Sequence, residues 1–131
     1  MLGSVDYKFV LLCNHKTGTN SLQDAFRKYA QITVGRKPRW KHINYREFKE
    51  IFGNYFESHG CEIYIVVRDP IDVLFSWYRY RSREELLGQE NYTGNITFIE
   101  FIKSWSSEAP QPYALNHFMG KRSALGLSLI H

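Results

Sequence analysis

Cysteine is scarce in this chain. Its 131 residues include only two cysteines, Cys13 and Cys61, and neither belongs to a motif with metal-ligand spacing. Cys13 lies inside an apolar run and Cys61 just before one, so we expect both to pack as small hydrophobic side chains. We therefore expect neither a disulfide framework nor a bound metal ion.

Long apolar runs are also missing. No stretch approaches the roughly 20 consecutive apolar residues that a membrane-spanning helix needs. The first residues, MLGSVDYKF, do not show the charged and apolar segments of a signal peptide. We therefore expect no membrane span and a cytoplasmic location.

The overall composition is typical of a folded domain, and its small positive charge favours an anionic ligand. Hydrophobic residues make up 44% of the chain and aromatic residues 16%, which excludes a disordered protein. A length of 131 residues suffices for one domain with a real core, and we predict a single domain over residues 1–131. The net charge of +4 suits a nucleotide, a sulfated glycan or a nucleic acid without choosing among them.

Apolar periodicity predicts strands that alternate with helices. Strands are expected at residues 8–14, 31–34 and 63–67, and helices at residues 21–30, 45–56 and 70–87. Asn44 is the expected cap of the helix at 45–56, and Thr97 caps a further helix. Residues 35–42 and 88–95 are expected loops, and the pattern at residues 112–119 is ambiguous. This alternation predicts an α/β fold with a central parallel sheet covered by helices on both faces.

The segment VLLCNHKTGTNSL, residues 10–22, has the composition of an anion site. A buried strand ends at a polar turn that carries Lys16 and Gly18, and a helix follows at once. A cation, a flexible glycine and a helix N-terminus then meet at one point. The segment is not a Walker A loop, because Lys16 precedes Gly18 and the first glycine is absent. The alternative is an ordinary strand–turn–helix connection with a capping Thr or Asn.

A second segment, EIYIVVRDPIDVLFSWYRYRSR at residues 62–83, repeats the same arrangement. The β-branched run at 63–67 predicts a buried strand, and Asp69-Pro70 is a helix start with Asp as the cap. Arg68 therefore stands at the carboxyl end of a strand, where open α/β sheets bind ligands. Ser76 lies about two turns into the helix. The alternative is that Arg68 pairs with Asp69 or Asp72 as a surface salt bridge.

The pair HKTGTNSL and VVRDPIDVLFSWYR resembles the two cofactor motifs of sulfotransferases that use 3′-phosphoadenosine-5′-phosphosulfate. The nearest pattern is that of the Golgi-type carbohydrate sulfotransferases and their bacterial and phage relatives. Their first motif is usually K-x-G-T-T-S-L, and their second is usually R-[DN]-P-x-[DE]-x-x-x-S-x-Y. The resemblance covers roughly residues 7–83. It implies a three-layer fold of the P-loop type.

The resemblance also implies a site and a reaction. Lys16, Thr17, Gly18, Thr19, Asn20 and Ser21 would bind the 5′-phosphosulfate, and Arg68 and Ser76 the 3′-phosphate. Asn20 replaces the usual second threonine but still offers a donor. The sulfuryl group would move to a hydroxyl or amine of an acceptor (a carbohydrate, a lipid or another small molecule), leaving adenosine 3′,5′-bisphosphate. No metal ion and no nucleic acid partner are implied.

The segment GRKPRWKH at residues 35–42 supplies a candidate base. Arg36, Lys37, Arg39 and Lys41 form a dense positive loop, either a solvated surface or a contact for an acidic acceptor or the cofactor phosphates. His42 is the candidate general base, because WKHINYREFKEIF resembles the family segment whose histidine lies near the acceptor. Lys16 would neutralise the charge that develops on the leaving phosphate. The alternative is that His42 is merely exposed at the end of a loop and has no catalytic role. His15 would then be the next candidate for the general base.

Two other functions stay open at this point. A nucleotide kinase or NTPase would use Asp69 as a metal-binding carboxylate, but the position of Lys16 disfavours it. The second alternative is a non-catalytic or truncated nucleotide-binding domain. It stays open because members of the family are generally longer than this chain. The sulfotransferase hypothesis requires both anion loops at one edge of the sheet. Lys16 and Arg68 should then face a common cleft, with their side-chain ends within about 10 Å, and His42 should reach the same cleft.

Overall fold

The computed structural model describes residues 1–35 and 38–107 of the chain. These residues belong to two compact units. The first unit contains residues 1–68, and the described part of the second contains residues 69–107.

The first unit combines a small sheet with short helices. Its strands are β1 (Leu2–Ser4), β2 (Phe9–Cys13), β3 (Ile32–Thr33) and β4 (Glu62–Val66). Its helices are α1 (Thr19–Phe26), which a 3₁₀ turn extends over Arg27–Tyr29, then α2 (Pro38–Lys41), α3 (Tyr45–Phe48) and α4 (Asn54–Ser58). A π-helical segment, Lys49–Gly53, makes α3 and α4 one continuous helical stretch.

The sheet has the strand order β3-β1-β2-β4. β2 and β4 are parallel neighbours, with Phe9 opposite Glu62 and Cys13 opposite Val66. This pairing confirms the expectation that the strands leading into the two motifs lie side by side. Their carboxyl ends therefore meet at one edge of the sheet.

The sheet is mixed, so the expectation of a fully parallel sheet is wrong. β1 runs antiparallel to both β2 and β3. The sequence prediction missed β1, a strand of only three residues. Four residues connect β1 to β2, and a connection this short allows only an antiparallel pair, because parallel strands need a crossover of a dozen residues or more. The broader α/β class is confirmed.

β2 is buried on both faces, as its uniformly apolar sequence predicts. Val10 and Leu12 belong to a core cluster that also contains Phe48 and Phe56 of the α3–α4 stretch. The alternate residues, Leu11 and Cys13, belong to a second cluster that includes Leu22 of α1. Cys13 and Cys61 are buried thiols, which confirms that both pack in the core.

Local capping explains where the helical stretches begin. The side chain of Asn44 accepts a hydrogen bond from the backbone N–H of Glu47 at 2.9 Å, as a cap at this position predicts. α1 begins at Thr19, two residues earlier than predicted. The predicted loop at 35–42 contains α2, whose first residue is Pro38, and proline is favoured at the first helical position.

The second unit consists of α5 (Pro70–Arg81), a 3₁₀ turn at Glu84–Leu86 and α6 (Phe98–Ser106). Asp69 caps α5, and Thr97 forms a capping box with Glu100, so both predicted caps are confirmed. α5 ends six residues before the predicted boundary at residue 87. Thr93 closes its last turn by donating from its hydroxyl to the carbonyl oxygen of Tyr78 at 2.6 Å.

Leu74 of α5 packs with Phe101 and Trp105 of α6 in the core of this unit. None of the helices within the described residues is long and apolar enough to cross a membrane. The ambiguous segment at residues 112–119 lies outside the described part of the chain.

We predict that Gly3→Ala destabilises the first unit. Gly3 lies in β1, and a Cβ atom there would stand 2.6 Å from Cζ of Phe56. We expect a loss of about 1–3 kcal/mol in the free energy of unfolding, measured by urea denaturation, because the ring has little room to retreat in a packed core. The double variant Gly3→Ala/Phe56→Leu should recover part of that loss. An unchanged urea midpoint for Gly3→Ala would contradict the close approach of Phe56 to the strand.

Candidate functional site

The turn between β2 and α1 is closed by its own hydroxyl groups. Thr17 Oγ1 donates to the carbonyl oxygen of Asn14 at 2.8 Å, and Thr19 Oγ1 donates to the same oxygen at 3.1 Å. Lys16 has φ 61° and Gly18 has φ 77°, so the backbone passes twice through the left-handed region. Because L side chains rarely adopt that region, the contacts of the turn hold Lys16 there. The shape of the turn therefore depends on the hydrogen bonds of Thr17 and Thr19 to Asn14.

The N-terminus of α1 opens onto this turn. Gly18 is the N-cap residue, and the first intrahelical bond joins Leu22 N to the carbonyl oxygen of Gly18 at 3.0 Å. Glycine has no side chain with which to cap the first-turn N–H groups of Thr19, Asn20 and Ser21. These groups and the positive end of the helix dipole suit an anion.

Arg68 brings the second motif to the same turn. It follows β4 by two residues, and its Nη1 donates a hydrogen bond to the carbonyl oxygen of Lys16 at 3.2 Å. This contact depends on the parallel pairing of β2 with β4, which aligns their carboxyl ends. The structure thus brings together the two segments that the sequence singled out separately.

His42 lies at the carboxyl end of β2. Its Nδ1 is 3.1 Å from the carbonyl oxygen of Cys13. A carbonyl oxygen can only accept a hydrogen bond, so Nδ1 is the donor in this contact. The ring of His42 stacks on the ring of His15, with centroids 3.7 Å apart and planes inclined by 29°. The two candidate bases of the sequence analysis therefore form one pair.

Burial lowers the pKa of both histidines of this pair. Desolvation is the largest cause that lowers the pKa of His42, and the hydrogen bond to Cys13 partly opposes it while Lys41 adds to it. Desolvation, followed by the neighbouring His42 and Lys16, lowers the pKa of His15 from 6.5 to about 3. A neutral imidazole with the Nε2 lone pair is the form that a general base requires.

Lys41 reaches from α2 to α1. Its Nζ donates to Oδ1 of Asn20 at 2.6 Å. The amide oxygen of Asn20 accepts this bond, so the donor that Asn20 was predicted to offer is its NH₂ group. Of the other cations in the positive segment, Arg36 and Lys37 lie outside the described residues.

The structure places four hydroxyl residues of the predicted site in different surroundings. The single hydroxyl hydrogens of Thr17 and Thr19 go to Asn14, and Thr19 is buried, so both residues shape the turn in this arrangement. Ser21 is exposed in the first turn of α1. Ser76 is half-buried on α5 in the second unit, and its assignment to the 3′-phosphate stays a prediction. Asp69, the carboxylate of the kinase alternative, accepts from the backbone N–H groups that it caps.

Sequence reasoning missed a cavity of about 500 Å³ beside α1. It is lined by Asn20, Gln23, Asp24, Arg27, Thr33, Gly35 and Lys41. Gln23 is buried although glutamine usually lies on the surface. A signal for it was present in the sequence, because Gln23 is four residues after Thr19 and thus shares a helix face with the anion motif.

No protein-family model, no curated protein and no solved structure matches this chain. Within residues 1–35 and 38–107, no group of three or more metal-ligating side chains is close enough to hold an ion. The contacts around residues 14–20, His42 and Arg68 are therefore the evidence on which a function is proposed.

We predict that His15 makes the protein less stable in acid. The pKa of His15 is about 3 in the folded protein, against an ordinary value of 6.5 in the unfolded chain. Between these two pH values the unfolded chain therefore binds a proton at His15 and the folded chain does not. The free energy of unfolding should therefore fall as the pH drops from 7 towards 4. Allowing for solvent screening at this half-buried group, His15→Asn should reduce that fall by about 1–2 kcal/mol in urea titrations at each pH. Parallel pH curves for the wild type and the variant would contradict a neutral buried His15.

Proposed function

We propose that this protein is a sulfotransferase, which moves a sulfuryl group from 3′-phosphoadenosine-5′-phosphosulfate to a hydroxyl or amine of an acceptor. The observation that carries the proposal is the hydrogen bond of 3.2 Å from Arg68 Nη1 to the carbonyl oxygen of Lys16. It joins the two segments that resemble the two cofactor motifs of that family. A chance resemblance of two segments 50 residues apart would not require them to touch.

The donor set fits a nucleotide with two phosphate groups. The first-turn N–H groups of α1 and the ammonium of Lys16 would hold the 5′ end, because an uncapped helix N-terminus favours anions. The guanidinium of Arg68 would hold the 3′-phosphate, for which its planar fork of donors is suited. Two anion-binding segments in contact match a ligand whose two phosphates are separated by one ribose.

A three-layer architecture of the P-loop type belongs to this proposal. Support comes from β2, whose alternate residues pack against α1 on one face and against the α3–α4 stretch on the other. Such double coverage is typical of the parallel strands in α/β folds. The antiparallel β1–β3 pair would then be an edge addition to the parallel core, which is common in mixed sheets.

His42 would act as the general base. The cosubstrate, when bound, supplies an activated sulfuryl group. The Nε2 lone pair of His42 would take the proton of the acceptor hydroxyl, and the Nδ1–H bond to Cys13 would hold the ring in the correct tautomer and stabilise the imidazolium that forms. Lys16 would offset negative charge on the leaving phosphate, and it is one of the charges that lower the pKa of the neighbouring His15.

We predict that adenosine 3′,5′-bisphosphate binds in the absence of Mg²⁺ and at least tenfold more tightly than AMP. Isothermal titration calorimetry with and without EDTA measures this directly. Arg68→Ala should cost about 1.5–3 kcal/mol of binding free energy, the size of a charged hydrogen bond. Arg46→Ala is the matched control, because Arg46 is an exposed arginine of the same unit that pairs with Glu50. Equal affinity for AMP, or a strict need for the metal ion, would overturn the proposal.

We predict that His42→Ala lowers the turnover number by about 100-fold or more, the usual contribution of a general base. The affinity for adenosine 3′,5′-bisphosphate should change by no more than about twofold, since His42 acts on the acceptor. Transfer of ³⁵S-labelled sulfate to panels of sugars, phenols and amines provides the assay. Because burial lowers the pKa of His42, the acid limb of the turnover profile should lie below pH 6.5.

The exposed histidine His59 provides the control variant His59→Ala, which should keep the wild-type rate. A wild-type rate in His42→Ala would remove His42 as the base and transfer that role to another group. If the wild type binds the nucleotide but transfers sulfate to no acceptor in the panels, the chain is a nucleotide-binding domain without transferase activity.

A further inference from the structure

β4 is an edge strand of the sheet. Within residues 1–35 and 38–107, β2 is the only strand that pairs with it. Natural sheets usually protect an edge with a lysine, a proline, a bulge or a very short strand. β3, at the opposite edge, has only two residues. β4 has five residues, contains neither lysine nor proline, and pairs with β2 in an unbroken register, so its outer edge lacks this protection.

The backbone groups at the outer edge come from alternate residues of β4. The N–H of Glu62 donates to the carbonyl oxygen of Lys8 at 2.9 Å and is therefore directed towards the β2 side. Successive residues of a strand direct their backbone groups to opposite sides. The N–H and C=O groups of Ile63 and Ile65 therefore point away from β2, and Val67 is the next residue in this alternation.

The side chains of β4 leave one face of the strand uncovered. Ile63 and Ile65 pack against the core cluster that contains the α3–α4 stretch. On the other face Tyr64 is 51% exposed, although it lies opposite the buried Leu11 of β2. A parallel strand rich in β-branched and aromatic residues is typical of a sheet interior, where neighbours cover both edges and both faces.

We infer that β4 pairs edge to edge with β4 of a second copy of this chain. Two identical antiparallel strands are related by a two-fold axis, which keeps each side chain on its own face of the sheet. An axis at Ile65 pairs this residue with Ile65 of the other copy, and it pairs Ile63 with Val67 on each side. All outward N–H and C=O groups from residue 63 to residue 67 then have partners.

The backbone favours this register over the neighbouring one. An axis at Tyr64 would place Val67 opposite Cys61 of the other copy. The N–H of Cys61 already donates to the carbonyl oxygen of Phe56 in its own chain at 2.9 Å, so it is not available to a second strand. The register centred on Ile65 does not meet this obstacle.

The same register matches the side chains. It places Tyr64 opposite Val66 of the other copy, and an aromatic ring beside a β-branched side chain is a favourable cross-strand pair. It also places Glu62 opposite Arg68 of the other copy, so opposite charges face each other at both ends. The hydroxyl of Tyr64 donates to Oε2 of Glu62 at 2.5 Å, which leaves the other carboxylate oxygen for the guanidinium. Arg68 has five N–H donors and can hold this carboxylate together with the carbonyl oxygen of Lys16.

Dimerisation through β4 is independent of the reaction proposed above. Sedimentation velocity of the full chain from about 10 µM to 1 mM covers the affinities that a single pair of strands provides. We expect the mass to rise over this range from that of one chain to that of two. A monomer at all of these concentrations would overturn the pairing, whether or not the protein binds adenosine 3′,5′-bisphosphate.

Glu62→Arg and Arg68→Glu are the decisive variants. Each alone places like charges opposite one another at both ends of the pair, so each should weaken dimerisation at least tenfold. An equimolar mixture of the two variants restores both opposite-charge pairs and should form a heterodimer about as readily as the wild type. Misfolding of a variant would not be reversed by mixing. Dimerisation that survives in both variants, or a mixture that associates no better than either variant, would overturn the pairing.

Val67→Pro tests the backbone contacts without a change of charge. Val67 is 60% exposed, and proline removes the N–H that donates to Ile63 of the other copy. Dimerisation should weaken at least tenfold, and an unchanged dimer would contradict pairing at this edge. Glu85→Arg is the control for charge, because Glu85 is exposed in the second unit and should not affect the dimer. An equal loss in Glu85→Arg would assign the effect to net charge and overturn the pairing.

Discussion

The parallel pairing of β2 with β4 determines which chemical groups meet in the first unit. Five residues of each strand lie in register, from Phe9 opposite Glu62 to Cys13 opposite Val66. The segments that follow therefore leave the sheet at the same edge, and the guanidinium of Arg68 reaches the turn that contains Lys16. Without this register the two cationic segments would have no reason to be neighbours, and neither alone is more than a common strand–turn–helix connection.

Backbone carbonyl oxygens at the end of β2 organise the surrounding side chains. Asn14 receives the hydroxyl hydrogens of Thr17 and Thr19, and Cys13 receives the Nδ1 hydrogen of His42. One short strand end thus fixes both the shape of the anion turn and the tautomer of the candidate base. Hydroxyl groups in such a turn can therefore serve the turn itself, which leaves the backbone N–H groups at the start of α1 for an anion.

Burial and positive charge act together on the histidine pair. Stacked rings exclude water from one another, and a positive charge on His42 would disfavour a proton on His15, because like charges repel. Lys16 and Lys41 add to that effect. The cations of the proposed phosphate site thus also lower the pKa of a neighbouring imidazole. The proposed reaction would use both effects, because it needs an anion site and a neutral base.

Local patterns in the sequence were enough to predict most of the elements around the site. Periodicity and capping residues predicted β2, β4 and the starts of the helices after Asn44, Asp69 and Thr97, because these depend on side chains near in sequence. It also pointed to Lys16, Arg68 and His42. The three-dimensional structure was needed to show that β1 makes the sheet mixed, that Arg68 contacts the Lys16 turn, that His15 stacks on His42, and that Gln23 lines a cavity. Each of these depends on residues far apart in the chain, and their proximity is set by strand register and core packing, which no local pattern encodes.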